Sequence, residues 1–421
     1  MTTPRWCLSW LPKPKRMNAF ASNPQIIEWQ VAEQSFSAVW HSEAGVTAPQ
    51  KILAVDDSLS ADQAYQLASQ GNDLLWLGDF HQAKQVLSAM ARRHDKKMQA
   101  GKKTPINTTS KAKSVKPSNQ ANILGHAKVL SAEDFHRYRM AQAQRARILG
   151  RILIPLQADN IIPLRRAPDV ALACTQVLDP SDTMRVLSLR EMLSIIAAFE
   201  WRKKGVWLEP LQARVYPHYG VFSPVRGEYL SLLAKAPLHK IDSAWDIGTG
   251  TGVISALLAQ RGIKQIIATD NDPRALSCAQ ENLAHMGIST VQLEIADLFP
   301  NSKQPADLIV CNPPWLPAKP SAPIERAVYD QDSQMLTSFL SGVGTHLSTG
   351  GEVWLIMSNL AELLGLREPG LLLEWISQAG LYVIDKMDIQ PQHGKAFDRS
   401  DALYLARVKE VTSLYRLGRT K

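Results

Sequence analysis

The chain has 421 residues, 45% of them hydrophobic and 20% charged, a soluble globular balance with enough length for two or three domains. No apolar run reaches the roughly 18–20 residues that span a bilayer. The Pro- and Lys-broken stretch Met1–Met17 makes a poor signal peptide, and Cys7, Cys174, Cys278 and Cys311 form no Cys-x-x-Cys pair. We therefore expect a cytoplasmic protein with no membrane segment, disulfide framework or metal centre. The formal net charge of +8 is local: residues 92–117 hold nine Lys/Arg against one acid, Asp95, and the rest of the chain balances.

In chain order, Lys51–Val55 has the composition of a short strand, and Ala61–Ala68 and Gln82–Arg92 have helical spacing. A basic strap from about 93 to 122 follows. It could release counterions on phosphates, or be a solvated insert rich in Thr, Ser, Asn, Gly and Pro. Ser131-Ala132-Glu133-Asp134 has the form of a capping box opening a helix over Ala132–Gly150, which carries Arg137, Arg139, Arg145 and Arg147, with Arg151 just beyond. Leu189–Trp201 is a further periodic helix, stopped at Arg202-Lys203-Lys204-Gly205.

From about Ile241 short apolar strands alternate with helices. Strands are predicted at Ala244–Ile247, Gln265–Thr269, Val291–Ile295, Leu308–Cys311, Glu352–Met357, Leu381–Asp388 and Ala402–Arg407, and helices at Val253–Gln260, Pro273–Met286, Ser333–Leu347 and Gly370–Ala379. Such alternation predicts an α/β unit with a largely parallel sheet covered on both faces. Ligands of such sheets bind beyond the carboxyl ends of the strands.

The candidate site residues all fall at those ends. Asp246-Ile247-Gly248-Thr249-Gly250-Thr251-Gly252 places Gly248, Gly250 and Gly252 where a backbone can turn sharply and approach a ligand, with an acid ahead of them. Position 253, where a dinucleotide fingerprint puts its third glycine, is Val. Asp270, with Asn271 beside it, ends the second strand and can accept from both hydroxyls of a ribose; Asp272-Pro273 has the form of a helix cap. Asp297, ending the third strand, can accept from an exocyclic amine, with Leu298 and Phe299 bordering a ring. The fourth strand delivers Asn312-Pro313-Pro314-Trp315. The prolines fix the backbone, the Asn312 side chain and the Pro313 carbonyl offer two acceptors for the hydrogens of a planar nitrogen group, and Trp315 offers a face for stacking.

Together these four motifs resemble those of class I S-adenosylmethionine-dependent methyltransferases of the amino- and amide-N-methylating type, over about residues 210–408. The resemblance implies a Rossmann-like seven-stranded sheet with one antiparallel strand near the edge. It also implies that S-adenosyl-L-methionine is held around the glycine loop, by Asp270 at its ribose and by Asp297 at its adenine. Tyr219–Arg226 resembles the lead-in that such enzymes wrap over the cofactor, with Phe222 and Arg226 as its candidates. Similar enzymes act on bases in ribosomal or transfer RNA or on the glutamine amide of release factors, and most carry Tyr or Phe where this chain has Trp315. The N-terminal half, the arginine helix and the strap favour RNA, so a base in ribosomal or transfer RNA is the expected acceptor; the run Leu316-Pro317 through Glu325, Tyr329 and Asp330 is similar to the glutamine enzymes, whose side-chain amide is the alternative. A non-catalytic assembly protein with a vestigial domain is the alternative of a different class. The expected division is an accessory region over 1–91, the basic insert over 92–122, a helical accessory region over 123–209 and the methyltransferase domain over 210–421, the N-terminal part being mixed α/β or mainly helical.

Overall fold

The computed structural model describes residues 25–31, 33–101, 131–224, 227–239, 241–320, 323–392, 397–398 and 401–420. Cys7, Arg226 and the strap beyond Gly101 lie outside them.

The N-terminal half contains β1 (Ile26–Val31), β2 (Gln34–Trp40), β3 (Ile52–Val55), α1 (Ala61–Ser69), β4 (Asp73–Trp76), α2 (Phe80–Gly101), α3 (Ala132–Leu149), β5 (Ile152–Leu156), α4 (Ala171–Thr175), β6 (Arg185–Ser188) and α5 (Leu189–Lys204). Its strands form one mixed sheet in the order β1-β2-β6-β5-β4-β3. Strands from both sides of the strap thus share a sheet, and the region expected to be helical supplies two of them. Alternation explains the packing. Leu74, Trp76, Ile152 and Ile154 face α1, α2 and α5, while Leu75, Leu153 and Val186 face a second cluster with Trp29. The strap reading is corrected at its start: residues 92–101 continue α2, and Arg145 holds Asp95 through two bonds of 2.8 and 3.1 Å.

A short hairpin, β7 (Val206–Leu208) and β8 (Ala213–Val215), leads into α6 (Glu228–Lys235), β9 (Ser243–Ile247), α7 (Val253–Gln260), β10 (Gln265–Asp270), α8 (Pro273–His285), β11 (Val291–Ile295), β12 (Ala306–Cys311), α9 (Gln334–Val343), β13 (Leu347–Ser358), α10 (Leu360–Leu363), α11 (Leu371–Gln378), β14 (Leu381–Ile389), α12 (Tyr404–Val408) and β15 (Thr412–Arg419). The sheet order is β11-β10-β9-β12-β13-β15-β14, parallel except for β15. Apolar clusters cover both faces. The strand predicted at Ala402–Arg407 is instead the short helix α12, and the last strand begins at Thr412. Its buried Arg416 pairs in a fork with Glu352 at 2.9 and 2.7 Å, and that pairing lets a charged side chain lie inside a sheet.

Helix α3 serves both halves. Its start packs Phe135 against Leu316, Leu360, Leu364 and Leu403 of the C-terminal unit, and its end packs Ile148 and Leu149 into the N-terminal core. The capping box expected at its start is present, Ser131 accepting from the Asp134 amide at 3.2 Å and Asp134 from the Ser131 amide at 3.3 Å. Glu43 and Arg274, 2.5 Å apart, form a second tie between the halves.

Candidate active site

Strand register brings the motifs together. Cys311, Ile247 and Thr269 share one rung across β12, β9 and β10, and Asp270 pairs with Ile295 on β11. Asn312, Gly248 and Asp270 therefore sit one step beyond that rung, at the carboxyl ends of adjacent strands, with Asp297 just past the end of β11. Four neighbouring strands about 4.8 Å apart set the outer two roughly 14 Å from each other.

The glycine loop needs its glycines. Gly248, Gly250 and Gly252 all have positive φ, at 74°, 56° and 81°, a region that penalises a Cβ. A Cβ on Gly252 would also stand 3.1 Å from Ala279 on α8, whereas a Cβ on Gly250 would meet nothing within 4 Å. The first glycine fits the backbone, the second leaves open space, and the third lets α8 approach. The Gly248 and Thr249 amides both donate to the Thr269 carbonyl at 2.9 Å, tying the loop to β10.

Asp246 is fully buried beneath this loop. Its Oδ2 accepts from Thr249 Oγ1 at 2.7 Å, from the Ser255 amide at 3.1 Å and from Ser255 Oγ at 2.6 Å. Its Oδ1 is buried with no hydrogen-bond partner. Burial pushes the carboxyl up to about 6 against the three hydrogen bonds, and the nearby Asp270 adds to the rise. A buried, half-satisfied carboxylate oxygen fits a cationic donor. The ammonium of a methionine moiety is such a donor.

Asp270 is half committed. Gly250 donates to its Oδ2 and the Asp272 amide to its Oδ1, both at 3.0 Å, and burial still raises its carboxyl above the ordinary range. Each oxygen keeps a further lone pair for a hydroxyl. Asp272 caps α8 through the Arg274 amide at 2.9 Å, with Pro273 in the first turn, as its sequence form implied. Asn271 and Asp297 are exposed beside these groups.

Phe299 is half-buried, its ring stacked on His346 at 4.4 Å and on Phe339 at 5.9 Å against the core. Leu298, by contrast, holds a left-handed φ of 74° and its carbonyl accepts from Thr269 Oγ1 at 2.6 Å. Trp315 packs against the clusters on both faces of the sheet, and its indole N–H donates to Asn312 Oδ1 at 3.1 Å. That bond takes one Asn312 lone pair and fixes which way the amide faces, with oxygen rather than nitrogen toward the Trp315 indole. One lone pair of Oδ1 and the Pro313 carbonyl remain as acceptors.

Several supporting residues carried no motif. Buried Asn282 accepts from the Tyr216 amide at 2.8 Å and donates to the Thr251 carbonyl at 3.1 Å, so it ties the lead-in to the glycine loop. Its signal in sequence is a lone amide on the apolar face of α8. Val221 of the lead-in packs on Ala275 and Cys278; Phe222, one residue on, is 37% exposed. Asp332 and Ser333, both at left-handed φ, turn the chain into α9. Asp330 caps that helix through the Met335 and Leu336 amides at 3.1 and 3.2 Å, and Met335 lies against Gly248. Buried Arg367 donates to the Trp315 carbonyl at 3.3 Å.

Residues 212–364 match the model of the methyltransferase small domain. This part of the chain belongs to that family. The unit is an S-adenosylmethionine-dependent methyltransferase domain. A putative protein N5-glutamine methyltransferase of Methanocaldococcus jannaschii is 29% identical over 36% of this chain and 79% of its own length. A release factor glutamine methyltransferase of Cereibacter sphaeroides is 33% identical over 31% of this chain and 51% of its own. A tRNA1(Val) (adenine(37)-N6)-methyltransferase of Vibrio vulnificus is 40% identical over 22% of this chain and 40% of its own. The chain thus spans about half, or less, of the latter two relatives. A solved methyltransferase from Pyrococcus furiosus is 18% identical with a TM-score of 0.36, over 54% of this chain and 98% of that one. Among the described residues no helix is long and apolar enough to cross a membrane, and no group of three or more His, Cys, Asp or Glu could hold a metal ion.

Proposed function

We propose that the domain methylates a planar amino or amide nitrogen held by Asn312 and the Pro313 carbonyl. Bound S-adenosylmethionine would supply the sulfonium methyl for in-line displacement by that nitrogen, the S–CH3 bond breaking as the N–CH3 bond forms, with S-adenosylhomocysteine leaving and one nitrogen proton passing to solvent. Asp246 and the loop Gly248–Gly252 hold the methionine end, Asp270 with Asn271 the ribose, and Asp297 the adenine. Phe222 covers them from the lead-in. The observation that carries this assignment is the row of carboxyl ends, which orders acid, acid, glycine loop and tetrad over about 14 Å, the length of an extended adenosyl-methionine skeleton. Asn312 and Pro313 direct the nitrogen hydrogens away from the donor, so its lone pair faces the methyl; Pro314 stiffens the corner.

For the acceptor we propose a glutamine side-chain amide of a polypeptide. Four of the five arginines that favoured RNA make internal ion pairs: Arg137 to Glu133, Arg139 to Glu325, Arg145 to Asp95 and Arg151 to Asp73. The match to the first glutamine enzyme also extends over more of that relative than the match to the tRNA enzyme. The second reading, an RNA base, is carried by the basic run over 92–116. The test incubates the protein with methyl-labelled S-adenosylmethionine and separated RNA and protein fractions. Label in protein at glutamine supports the first reading, label in RNA the second, and label in neither, with cofactor bound, the vestigial alternative. We place the protein in the cytoplasm, where its buried thiols Cys174, Cys278 and Cys311 would remain reduced. We further propose residues 25–204 as one accessory domain and 210–421 as the methyltransferase domain.

A further inference from the structure

Between the tetrad and α9 the chain makes an excursion whose two arms meet again. The Leu316 amide donates to the Val328 carbonyl at 3.2 Å, the Asp330 amide returns to the Leu316 carbonyl at 2.9 Å, and Leu316 and Tyr329 form a parallel bridge. One side chain from the N-terminal half grips both arms. Arg139 on α3 donates to the Lys319 carbonyl on the outgoing arm at 2.7 Å and to Glu325 on the returning arm at 3.2 Å, and its guanidinium lies 3.9 Å from the centre of the Tyr329 ring. Beside it Phe135 packs on Leu316, the residue after Trp315. A planar cation that makes a carbonyl bond, a carboxylate bond and a ring contact at once is held in one orientation.

We propose that Arg139 is a positioning residue for methyl transfer: the N-terminal half sets the acceptor corner through it. The inference rests on the tetrad's role proposed above. The path is short. Arg139 fixes both arms, the arms fix Leu316, and Leu316 fixes the Trp315 whose indole orients Asn312. Arg367 holds the Trp315 carbonyl from the catalytic unit, so the corner is braced from both halves. The other end of the returning arm is Asp330, the cap of α9. A simple interface role would be met by Phe135 and the Glu43–Arg274 pair; it does not require an arginine bound to both arms of this excursion. Arg137, two residues away and exposed, pairs within its own helix with Glu133 and Asp134 and serves as the control.

The test compares the full-length wild type with Arg139→Ala, Arg139→Lys and Arg137→Ala. The indole N–H resonance of Trp315, assigned by its loss in Trp315→Phe, is the readout that needs no acceptor. In Arg139→Ala it should shift and exchange its proton at least about tenfold faster. The turnover number should fall on the order of 10- to 100-fold, the scale of an ångström's misplacement, with S-adenosylhomocysteine affinity within about twofold of wild type. Arg139→Lys, which keeps the charge without the fork, should recover part of both, and Arg137→Ala should match wild type. An unmoved Trp315 indole in Arg139→Ala overturns the inference whatever the acceptor proves to be. So does a loss of cofactor affinity equal to the loss of turnover. Absence of transfer by the wild type to any acceptor counts against the proposed function, and the indole measurement then decides this inference alone.

Discussion

Titrating Asp246 separates a ligand-holding acid from a structural one. Its carboxyl rises from the ordinary 3.8 to about 6, mainly through burial, so folding without cofactor shifts the group toward its protonated form. For a raised carboxyl the favourable contribution is complete below the unfolded value and is lost as pH climbs through the folded one. The loss is about 2 kcal/mol between pH 4 and pH 7. A cation arriving at the unpartnered Oδ1 needs the carboxylate, so binding must displace the proton wherever the proton is present. With a folded value near 6 the group is about one-tenth protonated at pH 7 and nine-tenths protonated at pH 5. The apparent dissociation constant should therefore rise about tenfold between them. An α-ammonium with a value near 7.7–8.0 stays charged over this window, so the slope belongs to the protein. Asp270, raised in the same direction, adds to the loss and does not reverse it. The assay is calorimetric titration with S-adenosylhomocysteine, which keeps the ammonium and cannot turn over. Asp246→Asn should bind weakly at pH 7, by about tenfold or more, with a flatter slope. It should also melt no more than a few degrees below wild type, since removing a buried charge offsets the orphaned amide N–H. A dissociation constant flat from pH 7 to pH 5, with the Asn variant binding as wild type does, would refute the role of Asp246.

Other substitutions test the remaining roles. Asn312→Ala should lower the turnover number about 100-fold or more while leaving S-adenosylhomocysteine affinity within about twofold, because Asn312 acts on the acceptor; equal losses of both would count against it. Trp315→Phe keeps a ring but removes the indole donor, so the turnover number should fall about 5- to 30-fold, the effect of one hydrogen bond of about 1–2 kcal/mol; steady-state kinetics with the methylated fraction check this. Asp270→Ala should weaken cofactor binding by about 1–3 kcal/mol, part of it through the freed Gly250 amide. Gly252→Ala combines a positive φ with a Cβ 3.1 Å from Ala279 and should cost about 1–3 kcal/mol of stability, read by denaturant unfolding.

The C-terminal fold was legible because its strands are continuous apolar runs, each ended by a residue of special chemistry. Six of seven predicted strands lie within five residues of the observed ends, and Val291–Ile295 coincides with its strand. The seventh failed at β15, where Ser413 and Arg416 are buried on Asp388 and Glu352 and the pattern therefore reads as polar. In the N-terminal half the strands are short, and Pro155 interrupts Ile152–Leu156. It is tolerated because pairing with β4 ends at Leu153, and only β6 runs alongside it. The glycine loop, Asp270 and the tetrad could be read as motifs. The Asn312–Trp315 bond, the Asn282 tie and the use of Arg139 could not, because each depends on which way a side chain turns or on a partner up to 186 residues away.

Helix α3 has a consequence for how such chains can be recombined. Its two ends belong to different hydrophobic cores, about 20 Å apart along one rod. Grafting a foreign N-terminal half onto this catalytic sheet would bring the wrong rod, or none, and leave Leu316, Leu360 and Leu403 facing water. A successful chimera would have to cut within α3 itself, keeping the Phe135 turn with the catalytic sheet and the Leu149 turn with its own.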